Sequence, residues 1–394
     1  MLERARDLYP QLVEWRRQIH MHPELGFQEE KTAALVAETL TRLGLHVQTK
    51  VGITGVVGIL GEGRPTVALR ADMDALPIQE ANDVPYASQT PGVMHACGHD
   101  FHVAMLLGVA TLLSETPPPR GQVCFLFQPL EEGIDVEGKS GAMRMVDDGA
   151  LEGVDAIFGL HVYADMPSGT IGIIPGPAMA ASDAFRLTVR GRGGHGAYPH
   201  KSVDPIVLAA QVINAIQTVV ARRIPPIEAG VITVGSIHAG TRGNIIPEEA
   251  AMTGTIRSFK PPIREQLFAE LERAAQVART LGGDFELRIE PCYPVTVNDP
   301  QMAALVREIA TTVVGADKVS QPQPEMGAED FGVYLKHVPG CYFRLGAAIP
   351  GEDTPRLHHN PRFDAHEEVL PLGVTMLATV AQYYLERAPV AGEG

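Results

Sequence analysis

Apolar and polar positions follow two rhythms along the chain. In "ARDLYPQLVEWRRQIH" and "EEKTAALVAETLTRLG" apolar residues recur every three or four positions, which predicts two amphipathic helices. The runs "GVVGIL" and "TVALRAD" predict strands, and a helix follows from about Phe101 to Leu113. Next come a strand "GQVCFLFQP", a helix within "GKSGAMRMVDDGAL" and a strand "AIFGLHV". Strands alternating with helices predict a layered α/β domain with a mixed, largely parallel sheet flanked by helices.

The rhythm changes at about Ala184. Strand "AFRLTVRG", helix "VDPIVLAAQVINAIQTVVARRI", strands "AGVITVGSIHAG" and "AAMTGTIRSF", helix "IREQLFAELERAAQVARTLG" and strand "FELRIEPCYP" follow in turn. That order, β-α-β-β-α-β, predicts an inserted ferredoxin-like α+β domain over residues 184–297. Residues 1–183 and 298–394 then form the other domain, completed by helix "PQMAALVREIATTVVG", strand "CYFRLG" and helix "PLGVTMLATVAQYYLER". A cleft between two such domains is a favoured ligand position. The breaks "SETPPPRG" and "RRIPPIE" read as turns.

Composition narrows the partners. A chain of 394 residues exceeds the usual size of a single core, in keeping with two domains. The net charge of −15 and the lack of a basic stretch argue against nucleic acid. Four scattered cysteines do not form a disulfide framework and favour a reducing compartment. The N-terminus "MLERARDLYPQLVEWRRQIH" carries charges throughout and has no apolar core of a secretory signal. The run "VAMLLGVATLL" falls short of the roughly 18 residues of a membrane span. The expectation is a cytoplasmic protein that uses neither membrane nor nucleic acid.

Chemistry-bearing residues cluster where strands end. Cys97 and His99, separated by Gly98, precede the apolar helix, and a thiolate with an imidazole suits zinc and other borderline divalent ions. Taken alone, the pair reads equally as a buried cysteine beside a capping histidine. His102 falls one helical turn beyond His99 and reads as helix packing. Glu131 and Glu132 follow the strand "CFLFQP", His161 closes "AIFGL", and His358 and His359 stand near the C-terminus. Singly, a glutamate pair reads as solvated surface and a strand histidine as core. The strand ends of α/β sheets are nevertheless where such proteins put their chemistry.

The chain resembles the M20 metallopeptidase and amidohydrolase family, in the branch of hippurate hydrolases and indole-acetyl-amino-acid hydrolases. The resemblance rests on "MHPELGFQEEKTA", "ALRADMDALPI", "MHACGHDFHVAMLLG", "FQPLEEG", "GLHV", "GRGGHGAYPH", "GNIIPEEAAMTGTIRSF", "MGAEDFGVYL" and "HNPRFDAHEEVLP", in family order over nearly the whole chain. It implies metal ligands at Cys97, His99, Glu132, His161 and His359, with Glu131 as general base. His359 is preferred to His358 because it opens the H-N-P pattern. Five ligands exceed the needs of one open zinc site, so two divalent ions are expected: zinc or manganese, with cobalt and nickel tolerated by the same donors. Where many relatives carry His-x-Asp, this chain has Asp72-Met73-Asp74, and these two acids are expected to orient ligands.

The resemblance further implies that His195 of the insert, a lid and dimerisation domain, meets the scissile carbonyl, from a homodimer or higher homo-oligomer. It implies that Asn244 and Arg257 fix a small N-acyl or N-aroyl amino acid, and that Gly327 lies in a loop beside it. Arg257 suits a free carboxylate. The implied activity is amide hydrolysis, with dipeptidase or carboxypeptidase action as the alternative and an inactive metal-binding protein as the competing class. "GRGGHG" also fits G-x-G-x-x-G, but "AYPHKS" with Pro199 intervenes where a dinucleotide loop would enter its helix.

Overall fold

In the computed structural model, residues 1–352 and 354–388 are described, and two compact units emerge. The first comprises residues 1–178, 296–323 and 330–394, the second 179–295 and 324–329. Residues 324–329, expected with the catalytic domain, group with the insert. There the Ala180 N–H donates to the carbonyls of Glu325 (3.2 Å) and Gly327 (3.0 Å).

The first unit opens with helices α1 (Leu2–Asp7), α2 (Tyr9–Met21) and α3 (Glu30–Arg42), so the single N-terminal helix expected from periodicity is broken at Leu8. Strands β1 (His46–Val51), β2 (Gly55–Glu62) and β3 (Thr66–Asp72) follow, then α4 (His99–Glu115), β4 (Gly121–Gln128), α5 (Gly141–Asp147), β5 (Ala156–Tyr163) and β6 (Ile171–Gly172). Every residue of β3 is buried. A strand with no polar face suits a parallel interior position covered on both sides. It pairs parallel to β4 and β5.

The insert adds β7 (Ala181–Arg190), α6 (Pro205–Arg223), β8 (Gly230–Ala239), β9 (Glu249–Ser258), α7 (Pro261–Ala275) and β10 (Asp284–Tyr293). The chain then completes the first unit with α8 (Pro300–Val314), β11 (Val319–Ser320), β12 (Gly340–Gly346) and α9 (Leu370–Arg387). The large sheet has the order β1-β2-β4-β3-β5-β12-β6-β11, with a parallel centre β4-β3-β5-β12 and antiparallel β1-β2 at one edge. It is therefore mixed and largely parallel. The carboxyl ends of β3, β4 and β5 lie side by side and carry Asp72, Gln128 and the His161 region.

The insert's sheet, β8-β9-β7-β10, is antiparallel throughout, the arrangement of a ferredoxin-like unit. Along β7 buried residues alternate with more exposed ones, so Phe185, Leu187 and Val189 face one core. Helix α6 packs Leu208, Val212, Ile216 and Val219 into that core. Among the described residues α6, not the run in α4, is the helix long and apolar enough to cross a membrane by length and composition. Its Asp204 side chain caps the Ile206 N–H, and Pro205 begins the helix, where no N–H is required.

Candidate active site

Helix α4 starts two residues earlier than expected, so His99 belongs to its first turn. Gly98 before it takes φ +95°, a left-handed conformation that a residue with a Cβ resists. A Cβ there would also lie 2.3 Å from Val162 Cγ2 on β5. This glycine lets the α4 terminus close onto β5, which carries His161.

The five candidate ligands converge within the first unit. Ligand atoms of Cys97, His99 and His161 lie within 4.8 Å of one another, and so do those of Cys97, Glu132 and His359, with Cys97 common to both groups. A third such group joins His99 to Glu131 and Glu132. The Cys97 sulfur is 3.5 Å from His161 Nε2, and His99 Nε2 is 3.9 Å from a Glu131 oxygen. His359, at φ +59°, brings Nε2 to 3.1 Å from Glu132 Oε1. The neighbouring His358 turns inward instead and donates through Nε2 to the Val162 carbonyl at 2.9 Å.

Hydrogen bonds fix which imidazole nitrogens point at the centre. His99 Nδ1 bonds the Asp74 carbonyl at 2.8 Å and His161 Nδ1 bonds the Val162 carbonyl at 2.7 Å. Each ring thereby keeps its proton on Nδ1 and presents the Nε2 lone pair, as a metal ligand must. His99 Nε2 is buried yet makes no hydrogen bond, with oxygens of Asp72 and Glu131 at 3.8 and 3.9 Å. An orphaned buried nitrogen among these carboxylates fits a cation.

Electrostatics supports the same fit. Burial opposes charge on His99, but Asp72, Asp74 and Glu132 outweigh it and lift the imidazole to about 10. Burial, followed by the charges of Glu132, Glu131 and Asp72, pushes the Cys97 thiol well up. Burial, then His102 and His358, holds His161 neutral. The cluster thus has surplus negative charge that draws a proton to His99, and a divalent cation would take that proton's place and stabilise the thiolate.

Around the cluster, the two aspartates act differently from each other. Asp74 receives the Glu132 N–H at 2.9 Å and holds His99 through its carbonyl, so it touches two candidate ligands. Asp72 bonds His102 Nδ1 at 2.6 Å and forms an ion pair with the fully buried Arg70. Against burial, Arg70, His99 and His102 hold the Asp72 carboxyl well below the usual range. His102, expected as helix packing, is a polar link. Its Nε2 accepts the Val162 N–H at 3.0 Å, which ties α4 to β5 beside His161.

Arg70 also reaches Gln128 at 2.8 Å and Asp330 at 2.9 Å, and Asp330 receives the Gln128 amide and the Ala142 N–H. Sequence reasoning passed over this buried network. An arginine inside "TVALRAD" was its one signal, since a buried guanidinium requires partners.

The insert residues occupy two separate places. His195 and Asn244 are exposed neighbours on a short ribbon in which Ile245 pairs with His195 and the Gly196 N–H bonds the Asn244 carbonyl at 2.9 Å. His195 Nδ1 accepts the Ala197 N–H at 3.0 Å, leaving Nε2 as the protonated, outward donor. Arg257 lies at the far end of β9, paired with Ser182, where burial lowers its pKa from the usual arginine value. The strand from Glu249 to Arg257 spans eight residue steps, roughly 26 Å. The insert therefore does not bring Arg257 together with His195 and Asn244. Gly327 is exposed, and its carbonyl accepts the Ala180 N–H.

Known proteins are similar to this chain over nearly its whole length. The model of peptidase family M20/M25/M40 matches residues 68–383. Thermostable carboxypeptidase 2 of Saccharolobus solfataricus is 41% identical over 391 residues, covering 97% of this chain and 98% of that protein. IAA-amino acid hydrolase ILR1-like 4 of Arabidopsis thaliana is 38% identical over 391 residues, covering 98% and 88% respectively. The crystal structure of Bacillus subtilis YXEP, a dinuclear metal-binding peptidase of the M20 family, superposes with a TM-score of 0.82 at 34% identity, over 97% of this chain and 99% of that one.

Proposed function

The chain belongs to peptidase family M20/M25/M40 and is a hydrolase, and from that premise we propose that it cleaves the amide bond of N-acyl or N-aroyl amino acids of the hippurate type. The observation that carries the proposal is the buried Glu131 carboxylate standing against His99 and Glu132 in a cluster with the donor chemistry of a metal centre. Two divalent ions held by Cys97, His99, Glu132, His161 and His359 would supply Lewis acidity toward the carbonyl and the attacking water.

The chain's own groups do the proton work. Glu131 takes the proton from the attacking water as it adds to the carbonyl carbon, then delivers it to the leaving nitrogen as the C–N bond breaks. Asp74 and Val162 hold the His99 and His161 rings in the orientation this needs. His195, protonated at Nε2, is a suitable donor to the developing oxyanion, with Asn244 beside it. Arg257 would hold the substrate carboxylate. A small substrate cannot span the roughly 26 Å between the two ends of β9, so the reading includes a homo-oligomer in which two copies contribute different ends.

A carboxypeptidase reading stays alongside because the Saccharolobus relative bears that name. It differs in the acyl group, not in the chemistry. Turnover of N-acetyl, N-benzoyl and N-indoleacetyl amino acids against a set of dipeptides, by metal-reconstituted protein, separates the two. Glu131→Gln is expected to abolish hydrolysis with metal content intact, and near-native turnover by that variant would overturn the assignment of the base. Mixing inactive Glu131→Gln and His195→Ala subunits should restore activity if copies share sites, and no recovery after subunit exchange would refute the shared arrangement.

A further inference from the structure

Glu29 is a carboxylate with no exposed surface, set at the start of α3, and nothing in the chemistry above uses it. One of its oxygens accepts the Leu130 N–H at 2.9 Å, and the other accepts the Thr54 hydroxyl at 2.6 Å. Leu130 immediately precedes Glu131 and sits at φ +35°, a conformation leucine adopts only when its surroundings impose it. Three features impose it: the Glu29 bond on its N–H, the Gly141 N–H on its carbonyl at 2.8 Å, and Gly26 beneath its side chain. A Cβ on Gly26 would stand 2.2 Å from Leu130 Cδ1.

The segment that carries Gly26 and Glu29 is itself anchored to the centre. The Ala75 N–H donates to the Glu24 carbonyl at 2.8 Å, and Leu25 pairs with Ala75, one residue past Asp74. The stretch "ELGFQEE" therefore grips both chain segments that flank the cluster. We infer that Glu29 is a positioning residue for the reaction: through the Leu130 peptide it sets the direction in which Glu131 projects. Burial lifts its carboxyl to about 7 in spite of the Thr54 and Leu130 bonds, so an unfavourable charge is tolerated here. The inference rests on the proposed role of Glu131.

The test compares metal-loaded Glu29→Ala, Glu29→Gln, Gly26→Ala and Glu131→Gln with wild type. Glu29→Ala is expected to lower kcat by about 10- to 100-fold, the cost of displacing a reacting group by an ångström or so, with KM and metal stoichiometry unchanged. Amide exchange in the peptide spanning residues 126–133 of the metal-free variant should quicken. Glu29→Gln can still accept the Leu130 N–H through its amide oxygen and should recover kcat to within threefold of wild type.

Gly26→Ala pushes Leu130 from the other side and should repeat the kcat loss, which keeps the test open if Glu29→Ala does not fold. The inference is overturned if both Glu29→Ala and Gly26→Ala keep kcat within threefold, if Glu29→Gln loses as much as Glu29→Ala, or if restoring metal restores kcat. Near-native turnover by Glu131→Gln would instead overturn the underlying assignment of the base.

Discussion

Substituting Gly98 by alanine tests how the centre is assembled. Two costs are legible. At φ +95° an alanine pays roughly 1–2 kcal/mol of backbone strain, and its Cβ, 2.3 Å from Val162 Cγ2, adds an overpacking cost of about 1–3 kcal/mol. The sum, about 2–5 kcal/mol, falls between Cys97 and His99 and pushes on the strand that carries His161. The second cost depends on one methyl group, so Val162→Ala should relieve it while leaving the strain. Denaturant unfolding of the metal-free single and double variants should give a coupling of about 1–3 kcal/mol, with the double variant more stable than the sum of the singles predicts. Metal titration should show the same partial recovery. Strict additivity, within about 0.5 kcal/mol, would refute the claim that Gly98 is required by its approach to Val162.

Cys97→Ala should reduce bound metal, and unchanged stoichiometry by elemental analysis would remove Cys97 from the ligand set. At pH 8 the metal-free site holds a protonated His99, lifted to about 10, and a protonated Cys97. Metal binding there should release about two protons, readable by calorimetry in buffers of different ionisation enthalpy, and release of fewer than one would contradict the charge balance. Glu29, raised to about 7 from a usual value near 4.5, favours the folded state fully below pH 4.5 and loses that contribution as pH rises through 7. Glu29→Gln should therefore gain stability over wild type between pH 5 and pH 8, approaching roughly 3 kcal/mol, and a pH-independent difference would refute the assignment. His102→Leu strands the Val162 N–H and an Asp72 oxygen, so it should destabilise by about 2–4 kcal/mol and weaken metal binding about 10- to 100-fold, as unfolding and metal competition would show.

How far the sequence reveals this depends on whether a contact is local or distant. Strand and helix positions were legible because burial imposes period: β3 carries the apolar run Val67-Ala68-Leu69 and β7 reads as an alternation. The candidate ligands were legible as polar residues ending apolar runs. His102 was legible as a structural residue but its partners were not, because one of them is a backbone N–H on another strand, which leaves no mark in residue identity. The Arg70–Asp330 pair joins residues 260 positions apart, and Glu29 with Leu130 joins residues 101 apart. No periodicity encodes such distances. The break at Leu8 escaped because both flanking segments share the helical pattern.

Val162 illustrates what a transplant of this centre would have to carry. Its N–H serves His102, and its carbonyl takes hydrogen bonds from His161 and His358. All three ties run through the main chain. An isoleucine would preserve them, and an amide-to-ester replacement would remove the first while leaving the side chain untouched. Grafting five ligand side chains onto another scaffold would therefore leave the imidazoles free to swivel. The portable unit is a length of strand with its peptide groups facing the right way.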